Sequence, residues 1–143
     1  MRRDQSAGRV AALRGRLVDL ELDGVVITTL ENIRYLSGFS GSLGYLVIGR
    51  SDAEILGDSR YWLQMEAEAP GFTLVRSGPS HGLWALVAQR LKALGLRRVG
   101  FESQHLTFDQ HQRLSTALPG EHTLVATAGL VEELRIVKTP EEV

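Results

Sequence analysis

Short β-branched runs and helical stripes take turns along almost the whole chain, and that alternation restricts the fold more than anything else in the sequence. Val25-Val26-Ile27 is too short for a helix and typical of a buried strand. Before it, Val10, Leu13, Leu17 and Leu20 recur at helical spacing with charged residues between them, predicting an amphipathic helix that ends near Asp23-Gly24. Further strands are predicted at residues 45–48, 53–56, 72–75, 99–101 and 123–126. Only Gly49-Arg50-Ser51-Asp52 separates the second from the third, a hairpin-like spacing that makes them antiparallel neighbours. The other intervals carry helix signals. Thr28 with Glu31 has the form of a capping box for a short helix through Leu36, and Asp58 and Ser59 can cap a helix over residues 60–69 that Pro70-Gly71 stops. Leu83, Leu86, Val87, Leu91 and Leu94 make a stripe closed by Gly95, and Thr107 with Gln110 opens a helix to about Leu118. A short helix over residues 130–135 follows the last strand. The pattern predicts an α/β fold, a mixed and roughly six-stranded sheet flanked by helices on both faces.

Composition removes several classes of function. A chain of 143 residues suits one domain, and no apolar run approaches the roughly 20 residues that span a bilayer, so a membrane partner is excluded. The net charge of -1 removes the electrostatic case for nucleic acid. With no cysteine there is no disulfide, thiolate metal site or cysteine nucleophile, and a reducing, cytoplasmic compartment fits. Arg2, Arg3, Arg9, Arg14 and Arg16 bias the N-terminus. Asp4, Gln5, Ser6 and Gly8 stand where a secretory signal needs its apolar core, so these arginines read as the solvated face of the first helix.

Most candidate motifs dissolve on inspection. The loop Gly38 to Gly44 has Gly-x-x-Gly-x-x-Gly spacing, lacks the Lys-Ser or Lys-Thr pair of a phosphate loop and opens into a strand; its glycines permit a tight chain reversal. Neither Ser40 nor Ser42 has glycines at both of the positions a nucleophile elbow requires. His81, His105, His111 and His122 show no helical zinc spacing, and Glu66/Glu68 and Glu132/Glu133 read as solvated charges. One segment is more informative. Asp58-Ser59-Arg60-Tyr61-Trp62-Leu63-Gln64 packs a cap, an arginine and two large aromatics into one turn at a strand end, where ligand sites of α/β sheets gather. Arg60 offers a planar fork for a carboxylate and Tyr61 or Trp62 a stacking face; the plainer alternative makes the aromatics core anchors and Arg60 a surface charge.

Four segments carry a family resemblance. Asn32-Ile33-Arg34-Tyr35-Leu36-Ser37-Gly38-Phe39-Ser40-Gly41-Ser42 resembles a segment near the start of Xaa-Pro aminopeptidases and prolidases, and Asp58-Ser59-Arg60-Tyr61-Trp62-Leu63-Gln64 is similar to their "D-[GS]-R-Y-x-x-Q". Gly100-Phe101-Glu102 with Leu106-Thr107, and the stretch Val131 to Glu142, resemble two further segments in the same order. The resemblance is to the creatinase/prolidase-type N-terminal domain, over essentially all of the chain, and implies a ribonuclease H-like sheet.

It further implies a domain over residues 1–137 and, at 138–143, the start of a junction to a pita-bread catalytic domain. That domain would bind two divalent ions of the Mn, Co or Zn type and cleave the bond before proline, so no cofactor, metal ligand or catalytic residue is expected in this chain, which alone should be inactive. The N-terminal domain of such enzymes builds a homodimer and walls the cleft that receives a proline-containing peptide. Arg60, Tyr61, Phe39, Asp58 and Trp62 are the cleft or interface candidates, Arg60 first. Independently of kinship, Thr139, Pro140 and Glu142 carry the signals of a helix start with almost nothing after it, which predicts that the chain is the front of a longer protein. The alternatives are a pseudo-peptidase binding module without catalysis, as in some histone chaperones, then a nucleotide-binding α/β domain; creatinase itself is a minor option.

Overall fold

The computed structural model describes residues 1–78 and 82–136, so His81 and the helix-start signals at Thr139, Pro140 and Glu142 lie outside the described residues. The elements are α1 (Arg3–Asp19), β1 (Gly24–Ile27), α2 (Leu30–Ser37), β2 (Tyr45–Gly49), β3 (Ala53–Gly57), α3 (Trp62–Glu68), β4 (Thr73–Arg76), α4 (Leu83–Ala93), β5 (Arg98–Glu102), α5 (Phe108–Ala117), β6 (Thr123–Thr127) and α6 (Leu130–Ile136). The six strands form one sheet in the order β4-β3-β2-β1-β5-β6. β1 pairs antiparallel with β2, and β2 with β3, whereas β3–β4, β1–β5 and β5–β6 are parallel. Only β2 therefore runs against the rest, and the other five strands end at one edge, where β2 begins. This is the mixed α/β sheet the sequence predicts. The hairpin is the expected one, closed by the Gly49 N–H on the Asp52 carbonyl at 2.9 Å.

Strand residues alternate between two cores because successive side chains leave a strand on opposite faces. Val25, Ile27, Leu46, Ile48 and Ile55 meet Val10, Leu13 and Leu17 of α1, Ile33 and Leu36 of α2, Met65 of α3, and Leu130 and Val131 of α6. Val26, Val47, Leu56 and Val99 meet Leu86, Val87 and Leu91 of α4 and Leu114 of α5. Helices thus cover both faces. Beneath α4, Arg90 forks onto the buried Glu54 carboxylate at 2.8 and 2.7 Å. A charge removed from water at Glu54 is tolerated because its partner meets both oxygens.

Several local expectations are corrected. Leu20 belongs to the predicted stripe but caps α1 and is exposed, so the buried stripe ends at Leu17. The cap of α2 is Thr29, with no side-chain bond of its own; a carboxylate from β5 supplies the acceptor that Thr28 was expected to provide. α3 starts at Trp62 with Tyr61 as its cap, and Asp58 spends its carboxylate on Arg60 instead. The Thr107–Gln110 box does form, in both directions. The α1 arginines are only partly a solvated face: Arg9 donates to the Tyr35 carbonyl (2.7 Å), Arg14 to those of Gly49 and Asp52 (2.8 and 2.9 Å), and Arg16 pairs with Glu133.

Candidate functional site

At the edge where five strands end, the sheet assembles two polar clusters. The first joins the loop after α2 to the turn after β3. Gly38 ends α2 at φ 92°, a left-handed conformation that glycine adopts without steric cost, and its N–H closes on the Arg34 carbonyl. The Ser37 hydroxyl then accepts from the Phe39 N–H at 3.1 Å, which turns the Phe39 ring inward to 1% exposure. Gly41 lies against that ring so closely that a Cβ there would overlap it.

The turn lies against the same ring. Tyr61 meets Phe39 edge-on, with centroids 5.9 Å apart, and its hydroxyl is 2.6 Å from the Ser42 hydroxyl. Glu68 of α3 fixes the loop by accepting from the Ser40 N–H (2.9 Å), the Ser40 hydroxyl and Gln64 (3.0 Å). The Ser40 backbone N–H holds the Glu68 carboxyl below its usual range against the upward pull of desolvation, with Gln64 assisting.

Arg60 stands on the outside of this assembly, its side chain 67% exposed. Its Nε and Nη2 donate to the two Asp58 oxygens at 3.1 and 2.7 Å, and its N–H gives Asp58 a third bond at 3.0 Å. Those bonds from Arg60 hold the Asp58 carboxyl below its ordinary value. The Arg60 Cζ is 5.4 Å from the Tyr61 ring centre. Part of the planar fork is therefore engaged, and a ligand carboxylate must use the remaining donors or exchange with Asp58.

Trp62 faces the other way. Its indole N–H donates to the Gly57 carbonyl at 2.7 Å, and with Asp58, Ser59, Leu43, Tyr45 and Leu83 it lines an open cleft of about 530 Å³. Tyr45 tilts against Trp84, and burial pushes its phenol above the usual value, so it stays neutral. The five candidates thus separate. Arg60, Tyr61 and Asp58 share one exposed turn, Phe39 is the buried base beneath Tyr61, and Trp62 belongs with Asp58 to the cleft. Residue typing missed Ser40, Ser42, Gln64 and Glu68, although the first three lie in the two quoted motifs. Glu68 carried no sign beyond its four-residue spacing from Gln64 on α3.

The second cluster fills the crevice between the ends of β1 and β5. There the chain turns to β2 on one side and to β6 on the other, the topological position where open α/β sheets bind ligands. Here the crevice holds a carboxylate of the chain itself. Glu102, 6% exposed, accepts from the Thr28 and Thr29 N–H groups at 2.6 and 2.8 Å and from the Asn32 amide at 2.6 Å. The positive end of α2 is thereby neutralised from within. Asn32 has no exposed surface and accepts from Arg135 of α6 at 2.9 Å.

Among the described residues no group of three or more His, Cys, Asp or Glu side chains could hold a metal ion. The residues present do not fit a metal centre, and no metal-dependent step is assigned to them. No helix among them is long and apolar enough to cross a membrane. What the first cluster offers is a shaped surface: a cleft, a guanidinium beside an aromatic ring, and a braced loop.

Residues 9–137 match the model of the Creatinase/Prolidase N-terminal domain, and the chain belongs to that family. It is 33% identical over 135 residues to the uncharacterized peptidase YqhT of Bacillus subtilis, covering 94% of this chain and 37% of that protein. Among solved structures, the Xaa-Pro dipeptidase from Bacillus anthracis superposes with a TM-score of 0.89 at 29% identity, over 96% of this chain and 38% of that one. The N-terminal domain of the cytoplasmic peptidase PepQ from Mycobacterium tuberculosis H37Rv superposes with a TM-score of 0.81 at 35% identity, over 90% and 98% respectively. The chain thus spans a little over a third of the YqhT peptidase and of the Bacillus anthracis dipeptidase.

Proposed function

We propose that this chain is the non-catalytic front domain of a metal-dependent peptidase that cleaves Xaa-Pro bonds, where it builds a homodimer and walls the active-site cleft. The observation that carries this reading is the meeting of the two peptidase-like segments. The loop at Phe39–Ser42 and the turn at Asp58–Tyr61 are locked together by Ser42, Tyr61 and Glu68 while Arg60 stays exposed. Bracing of that kind holds a surface group in one place without burying it, which suits a wall that meets a substrate or a neighbouring subunit. The reaction itself, on two divalent metals, belongs to polypeptide beyond this domain, with residues 138–143 leading into it. A cytoplasmic location goes with the same reading; it is supported by the absence of cysteine and by the cytoplasmic description of PepQ.

The test is to express the protein as its gene encodes it, beside residues 1–143 alone, and to assay both on an Xaa-Pro dipeptide and on a tripeptide with proline second, with manganese and with a chelator. Manganese-dependent turnover by the gene product and none by residues 1–143 is expected. A gene product that binds proline peptides without cleaving them, with or without manganese, would make the chain part of a binding module instead.

A further inference from the structure

α6 is held by far more directional contacts than a helix of its length needs. A seven-residue helix has no stability of its own, and the burial of Leu130 and Val131 supplies the apolar anchor. Leu134 packs partly buried against the same core, but apolar contacts carry no direction and leave such a short helix free to swivel. Four consecutive residues remove that freedom. Glu132 lies 3.3 Å from His105 Nε2, after β5; Glu133 pairs with Arg16 of α1. The Leu134 carbonyl accepts from the Tyr35 hydroxyl of α2 at 3.3 Å, and Arg135 donates to Asn32. Asn32 is the centre of this arrangement. Its amide donates to the carboxylate that caps its own helix, and its carbonyl oxygen takes the guanidinium of the last helix.

We propose that Asn32, Glu102 and Arg135 form a latch that fixes the direction in which the polypeptide leaves the domain at the end of α6. On the functional reading above, on which this step rests, that direction sets where the Arg60 wall stands relative to the catalytic part. The three are then positioning residues for peptide cleavage. None of them touches the Arg60 turn. A buried, fully paired amide can do this because it has two discrete states, engaged and broken, and breaking it leaves polar groups in the interior without partners.

The experiment uses the full gene product as wild type, Arg135→Ala and Arg135→Lys, with amide hydrogen exchange, melting temperature and steady-state kinetics on an Xaa-Pro peptide. Arg135→Ala should speed exchange in α6 by about tenfold while β1, β2 and β3 keep wild-type protection. It should lower kcat/KM about fivefold at temperatures where both proteins are fully folded and lower the melting temperature by a few degrees, because buried Asn32 loses a donor, and Arg135→Lys, which keeps a donor for Asn32, should recover most of these losses. Unchanged α6 exchange overturns the latch, and a loosened α6 with wild-type kcat/KM overturns its positioning role. A wild-type gene product that cleaves no Xaa-Pro peptide is a failure of the functional reading alone. The latch then stands if α6 loosens in Arg135→Ala and tightens again in Arg135→Lys, and falls if it does not.

Discussion

The crevice between β1 and β5 and the turn after β3 lie at the same edge of the sheet and are built from the same kinds of group: a carboxylate, an arginine and backbone amides. In the crevice the carboxylate of Glu102 is buried, and its bonds go to Thr28, Thr29 and Asn32, which lie far away in sequence. At the turn, Asp58 spends its carboxylate on Arg60 two residues away, with most of the arginine in solvent. Desolvation decides the difference. Removing the crevice carboxylate strands donors that water cannot reach, so the crevice contributes to stability. Removing the Arg60 side chain returns Asp58 to water, so the turn is free to serve recognition.

The sharpest way to break the comparison is Glu102→Ala. It should cost about 3–4 kcal/mol, because Thr28, Thr29 and Asn32 all lose their acceptor. A fall in the urea midpoint at constant m-value checks this, and a change no larger than for Asp58→Ala would erase the distinction. Next comes Gly41→Ala, whose Cβ would run into the Phe39 ring. The buried ring has little room to retreat, so a loss of about 1–3 kcal/mol is expected, together with weaker Phe39–Tyr61 contact. Tyrosine fluorescence alongside the melting curve reads both.

Arg60→Ala should barely move the melting temperature yet raise KM or lower kcat in the full gene product. Arg60→Lys keeps the charge and loses the fork, so a lysine variant as poor as alanine would assign the role to carboxylate recognition rather than to a plain field. If Arg60→Ala loses stability and nothing else, the turn resembles the crevice after all. The smallest effect is on pH. The folded values of Glu68 and Asp58 lie below their ordinary 4.5 and 3.8, so the stability they contribute is complete above those values and is lost as pH falls through the depressed ones. In an acid titration followed by NMR, the Ser40 amide should shift with a midpoint below 4.5; a midpoint above it would mean that Glu68 is not gripping the loop.

What could be read from the sequence was whatever is settled locally. The β2–β3 hairpin, the Thr107–Gln110 box and the α4 stripe each depend on residues within a few positions of one another, and they form as read. Thr28 could not be read correctly, because the acceptor at the start of α2 is Glu102 at the end of β5, the fourth strand further along the chain. Asp58 was misassigned as a helix cap because an arginine two residues away competes for the same carboxylate. The arginines of α1 carried no sign that the carbonyls of Tyr35, Gly49 and Asp52 would meet them. The clustering of Phe39, Tyr61 and Arg60 was visible only as two separate motifs; no periodicity links a loop to a turn across a hairpin.

The central pairing of the sheet has a kinetic consequence. β1, β2 and β3 follow one another closely and can zip from the hairpin, whereas β1 meets β5 only after Val26 finds Phe101 across most of the chain. Closing so large a loop before any reward makes this the slow step, and until it is complete the inner edge of β1 is open to strands from other molecules. During synthesis that edge waits for β5 to emerge, so yield at high expression should be limited by the time β1 stands uncovered rather than by the stability of the finished domain.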